Sequence, residues 1–280
     1  MNIQEIYEFD LNGYIVYRNI LSQSEVSLIN MIIDTCKPSI SRGTGKFSFF
    51  TLDPCFIEVM SHPRTLEIIR VMLGDQFRFD HALGIEMTKT GGAAQPLHAG
   101  PRGEHGAFFY QWVHGRMYNG LIKVIYALSN NNYGDGGFVC IPGSHKGNIK
   151  YLPEKEKISH LIVNPLLKAG DMLIFTEALV HASQQWTAEH TRRVLIYSYA
   201  PGSLAWRNYE AIKYYQKLAT NELQRQLLRP PYVGDYYDEI ISEKLVENRN
   251  VIRQPVLFNF TSIKDKTIGI ILEKLVKKSN

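Results

Sequence analysis

The chain of 280 residues is 45% apolar and 21% charged with a formal charge of +4, enough for one sizeable core and ordinary for a soluble globular protein. Its basic residues are dispersed rather than gathered into a stripe interleaved with aromatics, so no nucleic-acid partner is expected, and no run approaches the apolar length of a membrane span. Cys36, Cys55 and Cys140 are widely spaced in no metal-ligand pattern, and the first residues carry acids and no apolar run; reduced thiols and a cytoplasmic protein without a secretory signal are expected.

Residues 13–17 (Gly-Tyr-Ile-Val-Tyr) read as a short strand. Ser22 and Glu25 follow at capping-box spacing, and Val26, Ile29, Ile32 and Ile33 recur at helical spacing, which predicts an amphipathic helix ended by Pro38. Beyond a Gly/Ser/Thr-rich loop over 39–48, a second helix is predicted over 65–73 with Gly74 as its stop. From residue 77 the pattern becomes strand-like: strands are predicted at 77–79, 83–89, 122–128, 137–141, 172–175 and 193–199, separated by Gly/Pro/Asn/Asp clusters. Many short strands without long helices between them argue against a parallel doubly wound sheet. They favour a mainly β, cupin-like double-stranded β-helix (jelly roll) with a cavity at one mouth. After Gly202 the chain turns helical again, with Ile212, Tyr215 and Leu218 on one face, and 267–278 reads as a last helix. The prediction is a single jelly-roll domain over 1–280, its core from about 75 to 201, with N-terminal helices and a C-terminal helical extension.

Two histidines have ligand-type surroundings. His98 closes Gln95-Pro96-Leu97-His98 after a strand, and His181 follows the apolar run Met172-Leu173-Ile174-Phe175. They are too far apart in sequence for a local metal turn, but two strands of one barrel could bring the rings together. His62, His81, His160 and His190 read as ordinary histidines, and His145, in Pro142-Gly143-Ser144-His145, as a loop-holding imidazole. Arg192 lies on the next predicted strand beside Arg193. An arginine there could hold a carboxylate through two parallel hydrogen bonds, and strand alternation lets only one of the pair point inward.

Several segments together resemble the phytanoyl-CoA dioxygenase family of iron(II)- and 2-oxoglutarate-dependent oxygenases. These are Asn12-Gly13-Tyr14-Ile15-Val16 with the capped helix, Leu97-His98, the run Gly136-Gly137-Phe138-Val139-Cys140-Ile141-Pro142-Gly143-Ser144-His145-Lys146, and His181-Ala182-Ser183 with Arg192 eleven positions after the histidine. The resemblance spans residues 9–201 and implies the jelly roll, Fe(II), 2-oxoglutarate and O2. Carried over by position, it makes His98 and His181 iron ligands and sets Arg192, assisted by Ser183, on the distal carboxylate of 2-oxoglutarate.

One element of the pattern is missing. The family's third ligand, an aspartate two places after the first histidine, falls at Gly100, and residues 92–103 contain neither Asp nor Glu. The resulting His-x-Gly resembles the aliphatic halogenases of this class, in which chloride or bromide occupies the carboxylate position and the substrate radical takes up halogen instead of hydroxyl. The expectation is therefore functionalisation of an aliphatic C–H bond in a small molecule, free or linked to CoA or a carrier, with halogenation placed ahead of hydroxylation. Hydroxylation would take water, Glu104 or Asp135 as third ligand. A non-catalytic relative that binds ligand in the same cavity is the remaining alternative. The aromatic stretch 102–118, directly after the first histidine, either lines the cavity mouth or packs its loop onto the barrel.

Overall fold

Two capping boxes organise the N-terminal region. Asn2 with Glu5 and Ser22 with Glu25 satisfy the first free amides of α1 (Ile3–Asn12) and α2 (Gln23–Cys36). The computed structural model describes residues 1–92, 94–99, 109–147 and 155–232. α1 lies outside the sequence prediction: Phe9 is its one buried residue, so its apolar period is weak. Gly13, at φ 76°, turns the chain from α1 into β1 (Tyr14–Tyr17). A side chain at Gly13 would meet His145 Nδ1 at 2.5 Å.

β2 (Lys46–Phe47), α3 (Cys55–Met60) and α4 (Pro63–Leu73) follow, α4 starting earlier than predicted because Pro63 suits a first helical turn. β3 (Phe77–Met87) runs unbroken where two strands are predicted. The polar pair Asp80–His81 reads as a break, but both are buried and bonded to each other, with Arg78 on the second Asp80 oxygen. Next come β4 (Gln95–His98), β5 (Tyr110–Val113), β6 (Arg116–Asn119), β7 (Ile122–Ala127), β8 (Gly137–Cys140), β9 (Met172–Thr176), β10 (His181–Gln184), β11 (Arg192–Pro201) and α5 (Glu222–Leu227). The helical face predicted after Gly202 forms as short 3₁₀ turns around Ile212 and Tyr215, and the predicted helix over 267–278 lies outside the described residues.

The strands pair antiparallel into a six-stranded sheet, β1-β9-β7-β11-β3-β2, a three-stranded sheet, β4-β10-β8, and the hairpin β5-β6. Strand alternation gives the large sheet two apolar faces. Val124, Tyr126, Leu195, Tyr197 and Tyr199 pack outward on Ile29, Ile33, Phe56, Leu66 and Ile69 of the helices. Ile125, Leu173, Phe175 and Val194 pack inward on Phe138 and Cys140 of the small sheet. The architecture is a mainly β jelly roll with flanking helices, formed by two facing sheets rather than a closed barrel. No helix among the described residues is long and apolar enough to cross a membrane.

Asp171 anchors the start of β9, whose far end leads to the site. Almost fully buried, it accepts hydrogen bonds from Arg18 Nη1 (2.6 Å), the Asn19 amide (3.0 Å) and the Lys168 amide (2.8 Å). Asp171→Ala would leave two backbone donors without their partner. We expect a loss of about 2–4 kcal/mol in stability, read as a lower denaturation midpoint in urea; an unchanged midpoint would show that the anchor contributes nothing.

Candidate metal centre

β4 and β10 pair so that His98 and His181 stand directly opposite one another. Side chains in that relation are close neighbours, and the two imidazole rings lie 4.3 Å apart, centroid to centroid. Each ring is held the same way. His98 Nδ1 lies 2.8 Å from the carbonyl oxygen of Pro96 and His181 Nδ1 lies 2.8 Å from that of Leu179. A carbonyl only accepts, so each Nδ1 carries its proton and each Nε2 keeps a lone pair, the tautomer a metal ligand needs. Burial pushes the His181 pKa down to about 4, with Glu177 opposing and His98 adding to the shift, so this imidazole is neutral at pH 7.

A carboxylate joins them that the sequence reading did not select. Among the described residues, His98, Glu177 and His181 are the one group of metal-type donors, with ligand atoms all within 4.8 Å of one another. Glu177 sits in the turn from β9 to β10, four residues before His181. Its amide donates to the Leu121 carbonyl (2.9 Å), and the Val180 amide donates to Ser144 Oγ (2.8 Å). The Pro142-Gly143-Ser144-His145 segment therefore braces the turn carrying both residues. His145 is buried, with Nε2 3.1 Å from the Asp10 carbonyl, and serves this loop rather than the donor group. Among the described residues Glu177 Oε2 is buried with no hydrogen-bond partner, and Lys123 Nζ is the cation beside it, at 3.8 Å. Burial pushes the Glu177 carboxyl up, but Lys123 and then the imidazoles more than offset this, and its pKa is lowered. The signal for Glu177 was an acid inside an otherwise apolar run ahead of His181, since buried charges are paired or coordinate metals.

Lys123 opens a row of polar side chains on the inner face of the large sheet. Its ammonium donates to His81 Nε2 and Ser198 Oγ, both at 3.0 Å, and His81 Nδ1 donates to Asp80 at 2.6 Å. Asp80 also accepts from the amides of Trp206 (2.9 Å) and Arg207 (3.1 Å). His81 thus faces inward, within this network and outside the donor group.

Arg192 lies at the other end of β11. Its side chain is buried while Arg193 points away, bonded to Glu86 and Asp34, so strand parity selects Arg192 as the inward arginine. Among the described residues no carboxylate pairs with Arg192. Arg192 Nη1 donates to Met87 Sδ (3.5 Å), which Ser183 Oγ also approaches at 3.5 Å. Burial alone pushes its pKa down to about 10 from 12.5. Gly137, at φ 81°, makes room for it: a Cβ there would stand 2.8 Å from Arg192 Nε. Ser183 is two residues along β10 from His181, roughly 7 Å at strand rise.

Two sequence expectations change. Asp135 is no third ligand: it is half-buried outside the donor group and accepts from the backbone and side-chain nitrogens of Asn132 (2.7 and 3.1 Å). The aromatic stretch divides. Tyr110 is buried against Phe9 and His145, whereas Trp112 and Tyr118 stand exposed on the β5–β6 hairpin. Gly100, Glu104 and the rest of 100–108 lie outside the described residues.

The residues present fit a divalent metal and a dicarboxylate. Two imidazole nitrogens and one carboxylate form the donor set of mononuclear iron oxygenases; among the described residues Glu177 Oε2 is a buried acceptor without a donor, and the guanidinium that Gly137 cradles has no carboxylate partner. The fold is the one found in solved iron- and 2-oxoglutarate-dependent enzymes. HygX from Streptomyces hygroscopicus, solved with nickel and 2-oxoglutarate, is 23% identical with a TM-score of 0.66, over 74% of this chain and 90% of that one. EctD from S. alaskensis, solved with 2-oxoglutarate and 5-hydroxyectoine, is 20% identical with a TM-score of 0.58, over 72% and 77%. SnoK, an alpha-ketoglutarate-dependent carbocyclase of nogalamycin biosynthesis, is 14% identical with a TM-score of 0.57, over 72% and 85%. The chain belongs to the phytanoyl-CoA dioxygenase (PhyH) family, whose sequence model matches residues 9–194. No curated protein sequence matches the chain.

Proposed function

We propose that this protein is an Fe(II)/2-oxoglutarate-dependent oxidoreductase that oxidises an aliphatic C–H bond of a small molecule, with oxygen transfer as the outcome. The observation that carries the reading is the pair of imidazoles on adjacent strands, both with Nε2 free, inside the same jelly roll as a buried guanidinium that has no carboxylate partner among the described residues. His98 and His181 would hold the metal. Arg192, with Ser183 beside it, would take the distal carboxylate of 2-oxoglutarate in the fork geometry that guanidinium allows. Iron in this site would supply the oxidant by reacting with 2-oxoglutarate and O2. The chain's part is to orient the co-substrate between His181 and Arg192 and to keep water from the inner face through Phe138, Phe175 and Met87. Neighbours seen with hygromycin B or 5-hydroxyectoine support a free small molecule as substrate.

Halogenation is the second reading, favoured by Gly100. Oxygen transfer is placed first because an anionic side chain, Glu177, already faces the imidazoles. Protein loaded anaerobically with Fe(II) and 2-oxoglutarate should develop a weak visible charge-transfer band, and admitting O2 should convert 2-oxoglutarate to succinate. No band and no succinate would overturn the enzyme reading in favour of a ligand-binding protein. With substrate in hand, a halide-dependent halogenated product would overturn the preference for oxygen, and a hydroxylated product indifferent to chloride and bromide would support it.

A further inference from the structure

We propose that Glu177 is the carboxylate ligand of this metal site, replacing the acid that the family pattern places at residue 100 with one delivered from the β9–β10 turn. The inference rests on the reading of His98 and His181 as metal-holding residues and adds the residue that completes their set.

Four observations carry it. First, a ligand atom of Glu177 lies within 4.8 Å of those of both imidazoles. Ligand atoms around a metal at about 2.0–2.2 Å and right angles stand about 3 Å apart, so a small side-chain rotation closes the group. Second, the backbone is pinned on both sides of that rotation. The Glu177 amide holds Leu121, Val180 is held by Ser144 Oγ, and the Val180 carbonyl accepts from the Ile141 amide at 2.9 Å. Glu177 and His181 are presented together by one braced turn.

Third, among the described residues Glu177 Oε2 is buried without a hydrogen bond. A carboxylate whose purpose was to neutralise Lys123 would be expected in contact with it, yet the separation is 3.8 Å and the ammonium donates instead to His81 and Ser198. Attraction without contact leaves the oxygen able to coordinate. Fourth, the chemistry matches: two nitrogens and one carboxylate oxygen are the facial set that leaves positions for co-substrate and oxygen. A carboxylate in that place also fills the position a halide would need.

The test is metal affinity, measured anaerobically by competition against a chelator for Mn(II) and Ni(II). His181→Ala is the reference for a lost ligand. Glu177→Gln should weaken binding at least about 100-fold, the upper end of what removal of an outer hydrogen-bonding partner costs, and adding Gly100→Asp to Glu177→Gln should recover most of it. Glu177→Gln within threefold of the parent, with His181→Ala binding no metal, would overturn the assignment and leave the metal site standing. Failure of the unaltered protein to bind either ion would overturn the metal-site reading itself, and the assignment with it. Should Glu177→Gln not fold, a crystal structure of the unaltered protein loaded with Mn(II) decides. A Glu177 oxygen about 2.1 Å from the ion supports the proposal; water, halide or another acid in that place overturns it.

Discussion

His181→Ala should abolish metal binding and 2-oxoglutarate turnover together, while the apoprotein keeps its fold. The imidazole is buried, neutral at pH 7 and oriented by the Leu179 carbonyl, so its one free valence is Nε2. Removing a metal-bound nitrogen should cost more than the roughly 10–100-fold loss typical of an outer partner, and we expect at least about 10³-fold in affinity. The signature is thermal. Metal that binds only the native state stabilises it by RT ln(1 + [L]/Kd), about 2.7 kcal/mol at a hundredfold excess over Kd, a rise of several degrees in Tm. The variant should show no metal-dependent rise at concentrations that saturate the parent. A variant that kept the parent's metal-dependent Tm shift would show that His181 is a core residue and no ligand.

Arg192→Met should raise the KM for 2-oxoglutarate by about 10²–10³-fold and leave the apoprotein no less stable. Truncating one partner of a buried, hydrogen-bonded charge pair typically costs about 2–5 kcal/mol, and the Arg192 fork is the one buried cation beside Ser183 and Met87 among the described residues. The stability sign runs the other way. The folded pKa, about 10, lies below the ordinary 12.5, so the native state disfavours the charged form. That cost, on the order of 3 kcal/mol, is fully present at neutral pH, below both values, and fades only as pH rises past 10. Methionine keeps the stem and removes the charge, so Tm should hold or rise. Arg192→Lys should fall between the two, because an ammonium cannot reproduce the planar fork. A fallen Tm with an unchanged KM would make Arg192 a structural residue.

Much of the scaffold was legible along the chain. The Ser22–Glu25 box, the Gly74 stop and the apolar strands around 122–128 and 172–175 carry their own local physics, and each formed close to the predicted place. The failures also have physical reasons. Asp80 and His81 read as a break because a buried polar pair looks like a loop until its partners, Arg78 and Lys123, are known. The β5–β6 hairpin was hidden in an aromatic run whose members divide between core and solvent, and α1 by a face that buries Phe9 alone.

The candidate site divides in the same way. The two histidines, the arginine, the glycine turn and the Pro-Gly-Ser-His segment stand out along the chain because each is a local pattern with a fixed spacing. So does the missing acid at residue 100. The tertiary structure alone decided three further things. Strand parity, set by the pairing of β11 with β3, turned Arg192 inward and Arg193 outward. Cross-strand register placed His98 opposite His181. And the pairing of β10 with β4 brought Glu177, carried on the turn before His181, to His98 as well, a proximity that depends on how distant strands pair.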